Sequence, residues 1–187
     1  LFMRASVVVS DLLLLIPVAA LCGSSWLHVG LLANAPALLL IDHGHFQFNG
    51  VCLALVLAAV LCLRRGRDLW GSALFVAALS FKHMSLHLAP AFFFYLLGKY
   101  WDARKPLASV ASVARIGAVV LCSFAVLWAP FLSATQLPQV IHRLFPISRG
   151  LFEDKVANFW CSVSPVLKLR QRFSAETLFR VSLVATL

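Results

Sequence analysis

Between Ile116 and Leu132 the chain carries no charged side chain. That run reaches the length at which a helix crosses a hydrocarbon core, about 20 apolar residues with a range near 17–25. In water such a helix must be wrapped in protein, and this chain has little polar material for the outside. Of its 187 residues 61% are hydrophobic and 12% charged, against roughly 45–50% and about 25% in ordinary globular domains. The mean hydropathy is +0.91. Folded in water, the chain would leave large apolar patches exposed. Composition therefore excludes a disordered chain, a secreted disulfide scaffold and a typical nucleic-acid-binding domain, and makes the lipid bilayer the fitting solvent.

Five further stretches read as candidate spans: Ser6 to Cys22, interrupted by Asp11 and Pro17; Trp26 to Ile41; Phe46 to Leu63; and the shorter Leu69 to Phe81 and Leu86 to Leu97, which need their flanks to cross. The fold class expected is all-α and polytopic, with about six spans in residues 1–132 and a polar loop over 133–176. The apolar stretch 177–187 reads as the start of another membrane helix. The chain opens at Leu1 with no signal-peptide pattern and stops inside that stretch, so it reads as an internal segment of a longer membrane protein.

The formal net charge of +9 (16 Lys and Arg against 7 Asp and Glu) is what basic loops facing anionic lipid give a polytopic protein. Short Lys/Arg-rich loops stay cytoplasmic. Arg64, Arg65 and Arg67 mark one such turn; Lys99, Arg104, Lys105 and Arg115 mark another. Two crossings separate them, which sends Lys82 to His87 to the far side, together with Asp42 to Asn49 and the 133–176 loop. That loop also holds six cations (Arg143, Arg149, Lys155, Lys168, Arg170 and Arg172). A cationic far-side loop suits an anionic ligand. The five cysteines, Cys22, Cys52, Cys62, Cys122 and Cys161, lack Cys-x-x-Cys spacing and read as buried small hydrophobes.

Three far-side clusters carry the chemistry. Asp42-His43-Gly44-His45-Phe46-Gln47-Phe48-Asn49 directly follows an apolar helix, where a polar group needs a partner and is often functional. It reads two ways: phosphate or sugar contact with Asp42 orienting a histidine, or helix-end capping and interhelical hydrogen bonding. Metal binding lacks a third ligand at suitable spacing. In Phe81-Lys82-His83-Met84-Ser85-Leu86-His87, two histidines four apart share a helical face. Lys82 either snorkels to the interface or, with His83, meets a phosphate. The third cluster, His142 to Trp160, mixes cations, the Glu153-Asp154 pair and interfacial aromatics around Pro146 and Gly150. It reads equally as an interfacial helix with a charged face. Asp11, inside the first span, reads as a helix–helix hydrogen-bonding residue rather than a catalyst.

Arg143-Leu144-Phe145-Pro146 followed by Arg149-Gly150-Leu151-Phe152-Glu153-Asp154-Lys155-Val156-Ala157-Asn158-Phe159-Trp160-Cys161 closely resembles the endoplasmic-reticulum α-1,3-glucosyltransferases that use dolichyl-phosphate glucose. The Asp42–Asn49 cluster and Leu1-Phe2-Met3-Arg4 with Asp11 resemble the same family in the same order. Two siblings share these motifs, one adding the first glucose to a nine-mannose lipid-linked oligosaccharide and the other the second. Leu151 to Asn158 resembles the first-glucose enzyme. Phe81-Lys82-His83 and Asn49-Gly50 look more like its sibling, and Phe48 stands where both commonly have Tyr.

The resemblance implies a GT-C fold in the endoplasmic reticulum membrane with a lumenal active face. It also implies an inverting, metal-independent transfer from dolichyl-phosphate glucose to a dolichyl-pyrophosphate oligosaccharide, with no cofactor and no nucleic-acid partner. Such a step needs a carboxylate to take the acceptor's proton and cations to hold the departing phosphate. The family's base is expected in a lumenal loop before Leu1, so the catalytic residue is unassigned and Asp42, Glu153 and Asp154 are not promoted to it. Arg143, Arg149 and Lys155 are the expected phosphate or loop-positioning groups; His43, His45 and Lys82 are expected in the substrate pocket. The alternative from another class, a channel or transporter, requires polar residues distributed through the spans, whereas here they gather at one face.

Overall fold

The computed structural model describes residues 2–23, 25–131, 133, 135–144, 163, 165, 167–174, 176–178 and 180–181. The chain separates into two compact units, Leu1–Leu132 and Ser133–Leu187, and every described element is helical.

In the first unit, helix α1 runs Phe2–Leu21. Its middle widens into a π-helical turn at Asp11–Leu15, just before Pro17, whose missing N–H and bulky ring disturb the preceding turn. Helix α2 (Trp26–Ala33) stops at Asn34, and the chain resumes as a second π-helical segment, Leu38–Gly44. The span expected from Trp26 to Ile41 is therefore two pieces. Pro36 explains the break: it lacks an N–H and pushes Ala35 out of helical geometry. Helix α3 (Asn49–Arg64) is followed by α4 (Asp68–Phe81), a 3₁₀ segment His83–Leu88, α5 (Ala89–Tyr100) and α6 (Pro106–Trp128).

Helices α3 and α4 form the centre of this unit. Cys52, Val56, Ala59, Phe75 and Ala78 are buried between them, and Phe92 of α5 stacks on Phe75 with ring centroids 3.9 Å apart. On one flank Leu15 and Leu38 bury against Ala54; on the other, Leu63 meets Leu96 and Ile116. The α3–α4 approach depends on the absence of a side chain at Gly71. A Cβ there would lie 2.7 Å from Leu63 Cδ2 and 3.0 Å from the Ala59 carbonyl. Small residues at such crossings are how helices pack where lipid removes the hydrophobic drive between them.

Two helices are long and apolar enough to cross a membrane, Phe2–Leu21 with 20 residues and Pro106–Phe131 with 26. Their outward faces carry Leu12, Leu13, Leu121 and Val126, all exposed. Cys122 shares that exposure; it is not the buried small hydrophobe expected, because it lines an open groove beside α4. Cys52 is buried, Cys22 and Cys62 are half-buried, and Cys161 lies outside the described residues.

In the second unit, Gln136–Leu144 forms helix α7. Leu137, Val140, Ile141 and Leu144 recur at the spacing of one helical face, with Gln136, Gln139, His142 and Arg143 between them. Ser133 Oγ caps its start, accepting the Gln136 N–H at 3.2 Å. A short turn, α8 (Leu169–Arg172), follows. Most of the His142–Trp160 cluster, and most of 177–187, lies outside the described residues.

Replacing Gly71 with Val forces α3 and α4 apart and costs about 1–3 kcal/mol, the usual range for overpacking. Thermal unfolding of the full-length protein in detergent reports this as a lowered midpoint, while Gly98→Ala, with nothing within 4 Å of its added carbon, does not lower the midpoint.

Candidate functional site

A carboxylate placed in an apolar chain must be hydrogen-bonded by the protein itself. Asp42 has no exposed surface. One oxygen accepts the Gly50 backbone N–H at 2.6 Å and the other accepts Asn49 Nδ2 at 2.6 Å. Because α3 begins at Asn49, Asp42 reaches across the intervening loop to satisfy an otherwise orphan N–H at the positive end of that helix. The loop reverses through Phe46, whose φ of 57° lies in the left-handed region that side chains seldom occupy without enforcement by their surroundings.

Asn49 works in both directions. Its Nδ2 donates to Asp42, and its Oδ1 accepts from the Lys82 ammonium; a second ammonium N–H goes to Gln47 Oε1 at 3.0 Å. Lys82 is presented by the junction after α4, where its backbone turns extended (φ −152°, ψ 118°). The following 3₁₀ segment is pinned to α3 by the buried pair Cys52 Sγ and Ser85 Oγ, 2.9 Å apart. Two clusters separated by more than thirty residues thus meet in one network (Lys82 to Asn49 spans 33 positions).

Asp11 completes the site. Its Oδ2 lies 3.0 Å from His43 Nε2, so each member of the pair sits in one of the two π-helical segments. Asp11 Oδ1 is buried and accepts no conventional hydrogen bond. It occupies the space a side chain would fill at Gly50, since a Cβ there would lie 2.0 Å away, and so rests against the Gly50 Cα as a weak C–H acceptor contact.

This corrects one reading of the sequence: Asp11, not Asp42, orients the histidine, because both Asp42 oxygens are committed to the start of α3. Asp11 is the helix-to-helix hydrogen-bonding residue expected of it. An aspartate inside an apolar run demands a partner at its own depth, and His43 supplies it. His45 is exposed at the end of its segment, and the His43 ring is hydrogen-bonded to Asp11 instead. His83 and His87 do not share a helical face either. They lie on a 3₁₀ segment with about three residues per turn, where i and i+3 align and i and i+4 do not; the His87 Nδ1–H donates to the Met84 carbonyl at 2.5 Å. Arg143 belongs to α7, but its side chain, like all of Arg149 and Lys155, lies outside the described residues.

The chemistry follows from which acceptors hold Lys82. They are neutral amides, and no carboxylate contacts the ammonium among the described residues. Its charge is positioned without being neutralised, and a third N–H remains to be donated. That arrangement can hold an anion. The described residues bring no three His, Cys, Asp or Glu side chains together as metal ligands.

Helical in every described element, with two helices long and apolar enough to cross a membrane, the chain has the pattern of a membrane protein. A model of the ALG6, ALG8 glycosyltransferase family matches residues 1–186, and the chain belongs to that family. It is 41% identical over 207 residues to a Dictyostelium discoideum protein named "probable dolichyl pyrophosphate Man9GlcNAc2 alpha-1,3-glucosyltransferase". Against the Gallus gallus protein of that name, without "probable", identity is 43% over 196 residues. Both matches take in 100% of this chain and 39% of the relative. The Saccharomyces cerevisiae protein is 39% identical over 202 residues, 99% of this chain and 37% of its own. The chain thus spans about two-fifths of the length of these curated relatives.

Gly50→Ala in the full-length protein drives a carbon into Asp11 Oδ1 and parts it from His43. Steric overlap of this kind costs about 1–3 kcal/mol, and thermal unfolding in detergent is expected to report it as a lowered midpoint. Gly30→Ala, which meets nothing within 4 Å, does not lower the midpoint.

Proposed function

We propose that the full-length protein transfers glucose from dolichyl-phosphate glucose, in α-1,3 linkage, to the nine-mannose dolichyl-pyrophosphate oligosaccharide in the endoplasmic reticulum membrane. The names of the relatives, which match this chain along its whole length, support the acceptor and the linkage and favour the first-glucose reaction over the second. Within the geometry, the observation that carries the reading is the Lys82 ammonium, held by Gln47 and Asn49 and opposed by no carboxylate among the described residues. A departing dolichyl phosphate gains negative charge, and a preorganised cation in a water-poor site is the group that stabilises it.

In this reading Lys82 meets the donor phosphate and His43 and His45 line the pocket, while Arg143, Arg149 and Lys155 are phosphate-binding or loop-positioning groups on the strength of the sequence resemblance. The reaction is inverting and needs no metal, and the site faces the lumen. Asp42 is left out of proton transfer because both of its oxygens already accept strong hydrogen bonds. The base that takes the acceptor's proton is expected outside residues 1–187.

Expressing the full-length gene in cells lacking each sibling separates the two reactions. Restoration of the one-glucose lipid intermediate only in cells lacking the first-glucose enzyme is the expected result. Restoration only in cells lacking the second overturns the acceptor assignment. In the restored strain Lys82→Ala lowers transfer by about a hundredfold, the scale of losing one preorganised charge-stabilising donor. Arg143→Ala and Arg149→Ala lower it severely in the same assay; wild-type rates in both would remove these arginines from the site.

A further inference from the structure

Helix α4 is bracketed by cations, Arg67 before it and Lys82 after it. At a rise of about 1.5 Å per residue its two ends stand roughly 20 Å apart, so whatever surrounds Arg67 is separate from the site at Lys82. There Asp68 is buried and already satisfied. Lys99 Nζ donates to its two oxygens at 2.9 and 2.8 Å, and the Tyr100 hydroxyl donates at 2.5 Å. The neighbouring cations are not offset in this way. Arg67 and Arg115 are exposed and form no ion pair among the described residues. Together with Tyr100 and Ser112 they line a cavity of about 300 Å³.

Arg115 also opens a second space. A groove of about 550 Å³ runs from it between α4 and α6, floored by Ala73 and Ala77 and walled by Val119, Cys122 and Val126. The α6 residues recur every three or four positions, so they form one face, and the alanines create the space by being small. From Arg115 to Leu127 this face extends about 18 Å, close to half of a hydrocarbon core about 30 Å thick. The groove therefore has the depth of one leaflet.

We propose that this end of the first unit binds an anionic phospholipid of the surrounding bilayer, its phosphate between Arg67 and Arg115 and one acyl chain along the α4–α6 groove. Charge complementarity selects the occupant. A guanidinium pair matches a phosphate through paired, charge-assisted hydrogen bonds. A free phosphate leaves the groove unfilled, and an apolar protein helix leaves two arginines without counter-charge. The Arg64, Arg65 and Arg67 turn beside the cavity adds the field that draws anionic lipid to a basic membrane face. The proposal rests on the chain's place in a bilayer and is independent of the glucosyl-transfer reading.

Native mass spectrometry of the full-length protein tests it, with phosphatidylserine and phosphatidylcholine of identical acyl chains as probes. Wild type is expected to retain one phosphatidylserine about tenfold more strongly than phosphatidylcholine. The exposed-site double variant R67Q/R115Q loses that preference. A73L/A77L fills the groove while keeping the arginines, and lowers retention of both lipids. Equal retention of the two lipids by wild type overturns the proposal. So does retention unchanged in both variants, as when another segment of the longer protein covers the groove, and so does displacement of the lipid by an equal concentration of inorganic phosphate, which marks an ion site without a chain.

Discussion

A carboxylate inside an apolar protein cannot be hydrated, so the protein must supply its donors, and in this chain that requirement fixes the helices. Asp42, Asp68 and Asp11 are all buried, and each is hydrogen-bonded by a different element from its own, Asp11 through one oxygen only. Asp42 ties the end of the second π-helical segment to the start of α3. Asp68 ties the start of α4 to the end of α5 through Lys99 and Tyr100. Asp11 ties the middle of α1 to His43. Three junctions are thereby set by hydrogen bonds whose loss would leave a buried charge unpaired, which is far costlier than the bond is worth when made. Apolar contacts are exchangeable between helix faces; these are directional, and they select one arrangement.

Small residues then decide how close the helices come. Gly50 admits the Asp11 carboxylate and Gly71 admits Leu63, while Ala59, Ala78 and Cys52 line the fully buried seam between α3 and α4. At Gly50 the packing device and the polar site are the same atoms: the missing side chain is what lets the α1 carboxylate lie against the first turn of α3. Stability and site geometry cannot be altered separately there, whereas at Gly71 they can.

Much of this was legible in the residues, and the limits of that legibility have physical causes. The apolar runs announced a helical membrane protein because span length and charge depletion are one-dimensional properties. The gathering of Asp42–Asn49 and Lys82 at one end, with the basic turns at the other, followed from the Lys and Arg positions, and the Lys82–Asn49 and Asp68–Lys99 contacts are arranged in that way. Partner choice was not legible. Asp42 and Asp11 both have histidines within reach of a linear argument, and only the turn through Phe46, which points Asp42 at Gly50, decides between them. The 3₁₀ geometry at His83–Leu88 was hidden because histidine spacing carries no information on helix type. The break at Asn34 was hidden because Pro36 near the end of an apolar run reads as a helical kink as readily as a stop.

The two ends of α4 show how one short helix separates two electrostatic tasks. At its start a buried aspartate neutralises Lys99 and adds a rigid, charge-balanced joint. At its end Lys82 is held by amides, which orient an ammonium without cancelling its charge. The difference lies in the acceptor. A carboxylate makes a cation structural, and an amide leaves it available to an incoming anion. Had Asn49 been aspartate, its oxygen would neutralise Lys82 in the way Asp68 neutralises Lys99, and it would also stand beside Asp42 as a like charge with no N–H to give. One amide therefore satisfies two conditions: it donates to the acid that caps α3 and accepts from the cation that closes α4. The polarity of that single side chain keeps the site open to a negatively charged ligand.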